Sequence, residues 1–122
     1  MNDRWDDFAQ VLSNPEEQFQ VSIYDVKFAV SSIDRTSVET LELSSTVNVL
    51  WIYPEERLEH YMDGRIYQVE VIFLASPDTT VKLNQIIVRT GTSDYYRVIG
   101  MSKFLSHIEI HCICIEPKSS YL

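Results

Sequence analysis

The sequence is poor in the residues that mark loops, linkers and cross-links: its 122 residues include three Gly, four Pro and two Cys. So little glycine and proline excludes a low-complexity or linker-rich chain, and the abundant β-branched and aromatic residues favour strands. Cys112 and Cys114 are two residues apart, a spacing that suits a bridge within one strand poorly. We therefore expect two reduced cysteines and no structural disulfide.

Long apolar runs and basic clusters are also missing. The longest apolar stretches, residues 49–53 and 69–75, are too short to cross a bilayer, and the acidic N-terminus lacks the order of a secretory signal. We expect synthesis in the cytoplasm and no membrane partner. Eighteen acidic residues against ten scattered Lys and Arg give a formal net charge of −8. This acidic net charge argues against a protein whose main function is to bind nucleic acid tightly. It is compatible with protein partners, or with a surface past which DNA slides.

What is present is an alternating pattern that predicts a single mostly-β domain over residues 1–122. Helical spacing of Trp5, Phe8 and Leu12 predicts a short helix over about residues 3–13, which Asn14–Pro15 ends. The β core is expected over about residues 19–116. Short strands separated by turns predict a small β-barrel or sandwich with a short N-terminal helix.

The first half of the predicted core has two irregularities. The strand from Phe19 to Val30 changes phase at Tyr24–Asp25, which predicts a bulge or a tight turn. Residues 31–40 are predicted to be a loop, and the strand region that follows is interrupted near Ser44–Ser45. The remaining strands are predicted at residues 67–73, 81–88, 95–101 and 107–116.

The segment between Pro54 and Gly64 fits a short helix or an extended loop equally well. Proline followed by Glu55 and Glu56 resembles a helix start, and Asp63–Gly64 resembles a turn. In either form we expect a projection from which Arg57 to Met62 can be deleted with little loss of the alternating core.

One cluster suggests a metal site: His107, His111, Cys112 and Cys114. On a regular strand both histidines share a face with Glu109, whereas the cysteines share the opposite face. Four such ligands cannot converge on one tetrahedral ion. We interpret the cysteines as a buried thiol pair and expect no metal or other cofactor.

Catalytic motifs are missing as well. The sequence has no Gly-x-Ser-x-Gly and no thiol in a catalytic context. His60 could act as a base, but a loop histidine beside Glu59 and Tyr61 is more often solvated. We therefore expect no enzymatic activity.

Tyrosines near predicted strand ends suit protein interfaces, although packing in the core is the commoner fate. The candidate interface residues are Tyr53, Tyr61, Tyr95, Tyr96 and Arg97.

Three segments carry a resemblance to a known family: residues 82–88 (Lys-Leu-Asn-Gln-Ile-Ile-Val), residues 95–100 (Tyr-Tyr-Arg-Val-Ile-Gly) after a turn at Gly91, and the closing strand 107–116. Here the chain resembles the head-completion, or stopper, proteins of tailed phages. Asn84–Gln85 stands where that family often has Gly-Asp. The resemblance implies a structural virion protein, made in the host cytoplasm and located in the neck of the virion.

This resemblance also implies partners. They would be further copies in a homo-oligomeric ring, the portal or adaptor protein, the tail completion or terminator protein, and double-stranded DNA passing through the channel. A loop would enter that channel to retain the DNA. The candidate channel residues are Glu55, Glu56, Arg57, Glu59, His60 and Asp63, and the alternative loop offers Asp34, Arg35 and Glu39.

Two other functions stay open at this point. One is a monomeric small-barrel binding module that recognises a peptide or a single-stranded nucleic acid through exposed tyrosines. The other is a small enzyme whose pocket is assembled from residues distant in sequence.

Overall fold

The computed structural model describes residues 18–30 and 37–121. The predicted helix over residues 3–13 lies outside the described residues, as do Asp34 and Arg35 of the alternative loop. No helix in the described part of the chain is long and apolar enough to cross a membrane.

The described residues are mostly β, as predicted. The strands are β1 (Phe19–Val30), β2 (Ser37–Ile52), β3 (Glu59–Met62), β4 (Arg65–Gln68), β5 (Val71–Ala75), β6 (Ile86–Arg89), β7 (Tyr95–Lys103) and β8 (Ile108–Ile115). A 3-10 turn, Ser119–Tyr121, follows β8.

Six of these strands form one closed, antiparallel sheet in the order β1-β2-β5-β8-β7-β6. The sheet closes because β6 pairs back with β1, for example Ile23 with Ile87. Closure leaves the paired parts of these strands without a free edge. Within residues 18–30 and 37–121, the remaining two strands, β3 and β4, pair only with each other.

Strand β5 is buried along its whole length because it lies between two apolar clusters. Alternate residues of a strand point to opposite faces, so Phe73 enters the inner core with Val21, Ile23 and Ile110. Its neighbour Leu74 points outward. There it joins the second core, defined by the buried residues Met62, Val69, Ile72, Leu74 and Ile99.

An irregularity interrupts the β1–β2 pairing at the place where the sequence changes phase. Ile23 pairs with Ser45 and Tyr24 pairs with Leu43, so Ser44 is an extra residue in β2. The predicted bulge is confirmed, but its additional residue lies on β2 and not at Tyr24–Asp25. Strand β2 runs without interruption past this point.

Beyond the bulge, β1 and β2 extend past the closed sheet as a two-stranded arm, here called the ribbon (residues 25–30 and 37–42). No other strand pairs with this part of β1 or β2 in the described chain. By register, Val26, Phe28, Val30 and Leu41 share one face of the ribbon. Phe28 is 68% exposed and Val30 is 70% exposed.

Several predicted boundaries were wrong. The loop predicted for residues 31–40 is already strand from Ser37, and the strand predicted over 67–73 is divided at residues 69–70. The strand predicted over 81–88 begins only at Ile86, because turns occupy the residues before it. The hairpin connection at residues 91–94 is confirmed between β6 and β7.

Candidate functional site

The predicted channel segment forms a β-hairpin, here called the hairpin arm (residues 59–68), and not a helix. Glu59 pairs with Gln68 and Met62 pairs with Arg65. Asp63 and Gly64 connect the strands with φ angles of 53° and 78°. Two consecutive positive φ angles define the tight turn whose twist suits a two-residue hairpin. The Asp63–Gly64 turn is therefore confirmed.

The charged candidates lie on the outer side of this arm and of the segment that leads to it. Exposed side chains belong to Glu55, Glu56, Arg57, Glu59 and Asp63. Arg57 Nε lies 2.5 Å from Glu59 Oε1, but the Arg57 side chain is 74% exposed. An ion pair this open to water adds little stability. The acidic side chains are thus concentrated in the segment before the arm, whereas the arm itself exposes Glu59 and Asp63 together with Arg65.

The inner side of the arm covers the second core. Met62 is 5% exposed and packs with Ile99, and Tyr67 lies against the same cluster. The expectation that the segment can be removed without touching the core is therefore wrong. The structure shows a packed arm and not a free projection.

His60 fixes this arm to the closed sheet, which corrects the prediction of a solvated loop histidine. Its Nε2 lies 2.7 Å from His111 Nδ1 on β8. The ring also lies against Gly100 of β7: a Cβ added there would be 2.5 Å from His60 Nε2. Gly100 thus provides the space into which the His60 ring fits.

The polar contacts continue from His111 along β8. His111 Nε2 lies 3.3 Å from Glu109 Oε1, and His107 Nε2 lies 3.6 Å from Glu109 Oε2. His107 also contacts Ser106 Oγ through Nδ1, at 2.9 Å. The predicted shared face of His107, Glu109 and His111 is confirmed. All three histidines of the chain belong to this cluster, here called the histidine cluster (His60, His107, Glu109 and His111).

Electrostatics distinguish His60 within the cluster. Burial, and to a smaller degree the neighbouring His111, lowers the pKa of His60 below its ordinary value. Partial burial penalises the charged imidazolium, and a second imidazole nearby adds to that penalty. His60 is therefore held in the neutral form at neutral pH.

The two cysteines behave differently from each other, so the predicted thiol pair is only half right. Cys112 is fully buried in the inner core, whereas Cys114 is exposed. Burial raises the pKa of the Cys112 thiol well above its ordinary value. Burial, followed by Glu70, raises the pKa of Cys114 as well. Neither is an activated thiolate. Within the described ranges, no group of three or more His, Cys, Asp or Glu is arranged to hold a metal ion.

The candidate interface residues separate into exposed and buried members. Tyr53 is 64% exposed and Tyr61 is 76% exposed, as an interface requires. Tyr95 is half-buried and stacks on Tyr121, with ring centroids 6.2 Å apart. Tyr96 is a correction: it is 6% exposed, and its ring meets Phe73 edge-on in the inner core. Arg97 is half-buried on β7.

Sequence reasoning missed an aromatic group on the surface. Trp51 contacts Phe19 edge-on, with centroids 5.8 Å apart, and Tyr53 at 5.5 Å. The guanidinium of Arg89 lies 4.5 Å from the centroid of Phe19 and 5.4 Å from that of Trp51. The signal was the alternation of Trp51, in β2, with Tyr53, just after it, but their partners come from β1 and β6.

Glu39 was predicted in a loop, but it lies in β2, where its carboxylate contacts the C-terminal segment. Tyr121 Oη donates a hydrogen bond to Glu39 Oε2 at 2.6 Å, and Lys118 Nζ lies 2.7 Å from the same oxygen. Bonding to Lys118 and then to Tyr121 lowers the pKa of Glu39. Burial, followed by the bond to Glu39, raises the pKa of Tyr121 to about 12.

Replacing Tyr121 with phenylalanine tests this contact. Loss of one hydrogen bond should lower the free energy of unfolding by about 1 kcal/mol. Because folding raises the pKa of this phenol from 10.0 to about 12, the wild-type advantage should be complete below pH 10 and vanish as pH rises toward 12. Chemical denaturation of both proteins across this range measures it. Tyr61→Phe, at an exposed position, is the control and should change stability little. If the wild type keeps the same advantage over Tyr121→Phe at all alkaline pH values, the prediction is contradicted.

Comparison of the chain with protein-family models and with curated proteins gives no match. Functional inference therefore depends on the residues and their geometry.

Proposed function

We propose that the chain is a structural subunit of a phage head-to-tail connector. In this role, copies of the chain form a ring below the portal or adaptor, retain packaged DNA and offer a platform to the tail completion protein. The carrying observation is the closed sheet with two arms: a ribbon that exposes apolar side chains, and a hairpin arm that follows an acidic segment. The sheet then serves as a small barrel that holds both arms in place.

The ribbon supports assembly into a ring. Its apolar face exposes Phe28 and Val30, and Leu43 at its base is 57% exposed. Glu39, which pairs with Phe28, lies on the same face and is bonded to the C-terminal segment. Exposed apolar side chains grouped beside such a residue are typical of contacts between proteins. A neighbouring subunit that covers this face would bury these side chains.

The hairpin arm supports a position beside DNA. The exposed acids of the arm and of the segment before it, together with the net charge of −8, give a surface that repels phosphates. A channel wall of this character lets DNA pass without adhering, since adhesion requires cationic side chains that displace counterions.

The segments that resemble stopper proteins also lie together. They contribute β6, β7 and β8, which are neighbours in the closed sheet, with Tyr96 paired to Ile87 on one side and to Cys114 on the other. Separate motifs that build one continuous surface support the resemblance better than isolated motifs would.

DNA retention by heads tests this function. Heads assembled without the chain should lose their DNA, and the added wild-type protein should restore retention. The double substitution Phe28→Ser/Val30→Ser should reduce the amount bound to heads by roughly tenfold or more, because each buried apolar side chain contributes about 1.5–3 kcal/mol.

Leu105→Ser is the matched control, since Leu105 is 102% exposed in the turn between β7 and β8. It should bind heads as the wild type does. Heads that keep their DNA and accept tails without the chain would refute the connector function.

The surface aromatic group favours a second candidate, a monomeric module that binds single-stranded nucleic acid. Trp51 and Tyr53 offer faces on which bases stack, and Arg89 beside them supplies a positive charge. Binding of a dye-labelled oligonucleotide, measured by the fluorescence anisotropy of the dye and lost in Trp51→Leu, would favour this candidate. A monomer that neither binds oligonucleotides nor joins heads would contradict both functions.

A further inference from the structure

We propose that the histidine cluster is an acid-sensitive latch that holds the hairpin arm on the closed sheet at neutral pH and releases it when the cluster takes up protons. This latch is a property of the chain itself and does not depend on the connector function.

The geometry of the cluster fixes where its protons lie. His111 Nε2 faces the carboxylate of Glu109, so the hydrogen-bond network assigns a proton to that nitrogen. In neutral His111, Nδ1 is then the acceptor. His60 Nε2 therefore carries the proton that is donated to His111 Nδ1 across 2.7 Å.

Adding a proton to His111 breaks this arrangement. The proton can enter only at Nδ1, which places two N–H groups against each other at a distance that requires one donor and one acceptor. Because His111 Nε2 already faces the Glu109 carboxylate, a doubly protonated His111 has no acceptor left for His60. The hydrogen bond between His60 and His111 is then lost.

Adding a proton to His60 is opposed by its surroundings. The extra proton would enter at Nδ1 and keep the donated bond, but the ring lies over Gly100 in a half-buried position. A charge is stabilised better once the ring is in water. Both protonation routes therefore favour the released arm.

Other titratable groups on the surrounding elements do not change the conclusion that protonation favours the released arm. They are His111, His107 and Glu109 from β8 and the turn before it, Tyr67 from β4, Lys103 at the end of β7, and Glu59 and Tyr61 on β3 itself. Glu59 is paired with Arg57. The ordinary pKa values of Tyr and Lys lie far above the acid range. His111 is the neighbour whose charge bears on the pKa of His60.

The sign of the pH dependence follows from the lowered pKa of His60. The docked arm binds fewer protons than the released arm, so docking is strongest above the ordinary histidine pKa of about 6.5. It weakens as pH falls below that value, through the lower pKa of the docked state. Release uncovers the second core, including Met62 and Ile99.

Hydrogen exchange in the intact chain, corrected for intrinsic rates, tests the latch. Between about pH 7.5 and about pH 5, amides of β3 and β4 should lose protection severalfold, because the released arm binds more protons than the docked arm. Amides of β5 and β8 should keep their protection. Loss of protection in all strands together would mean acid unfolding of the whole domain and would overturn the proposal, as would an unchanged hairpin arm.

Variants separate the latch from general acid sensitivity. His60→Gln/His111→Asn keeps a donor and an acceptor near the two contacting nitrogens but removes their titration, so its arm should show no pH response. Glu59→Gln alters a neighbouring titratable group on the exposed side of β3 and should respond as the wild type does. A pH response that persists in the double variant would overturn the latch.

Gly100→Ala is a third test variant, because the added Cβ would collide with the His60 ring. The arm should then be released at both pH values. If the double variant fails to fold, titration of the wild-type histidine signals by nuclear magnetic resonance decides: the shifts of the β3 amides must change with the same midpoint as His60. Different midpoints would refute the proposal. None of these measurements involves phage heads, so their outcome is independent of the connector function.

Discussion

Replacing Phe73 with alanine is expected to lower the free energy of unfolding of the whole domain by about 3–5 kcal/mol. Phe73 is fully buried, and its ring meets the rings of Phe19 and Tyr96 edge-on. The ring centroids are 6.1 Å and 5.0 Å apart, respectively. Truncation removes the buried ring and leaves a cavity that the paired strands cannot collapse to fill. Urea denaturation followed by tryptophan fluorescence measures the loss.

Ile66→Ala is the control for this substitution. Ile66 is 67% exposed on the outer side of β4, so its truncation should change stability by no more than about 0.5 kcal/mol. Equal losses at Phe73 and Ile66 would show that the interior of the closed sheet is not the main source of stability.

Replacing Leu74 with alanine should cost about 2–5 kcal/mol, but the effect should be distributed differently. Leu74 is 1% exposed and points into the second core, beneath the hairpin arm. Its truncation weakens the packing of the arm directly. Hydrogen exchange should therefore show a larger loss of protection in β3 and β4 for Leu74→Ala than for Phe73→Ala.

The comparison of Phe73 with Leu74 is informative because the two residues are adjacent on one strand. If both substitutions reduce protection equally in all strands, the inner core and the second core unfold as one unit. That outcome would contradict a separable arm and would also weaken the case for the acid-sensitive latch.

Local chemistry explains which structural features could be predicted from the sequence. The mostly-β class, the irregularity beside Tyr24 and the Asp63–Gly64 turn each depend on alternation or on turn residues that are neighbours in the chain. The shared face of His107, Glu109 and His111 follows from strand parity in the same way.

Long-range contacts explain what was missed. His60 and His111 are 51 residues apart in sequence, and no local pattern shows that the arm folds back onto β7 and β8. The space for the His60 ring depends on Gly100, whose role is visible only when the two elements are together. Tyr96 was placed on the surface because a strand-end tyrosine has the same local sequence whether its face is inward or outward.

Closure of the sheet has a consequence for how the chain folds. The β1–β2 hairpin is local in sequence, but the final pairing joins Val21 to Arg89, so most of the chain must be organised before the ring of strands is complete. Searching for contacts so distant in sequence slows folding, because the loss of chain entropy precedes the energetic gain. During synthesis β1 emerges well before β6, and its unpaired edge then resembles the templates on which strands from other chains add. The same pairing that completes the native sheet therefore sets the period during which the nascent chain is most exposed to aggregation.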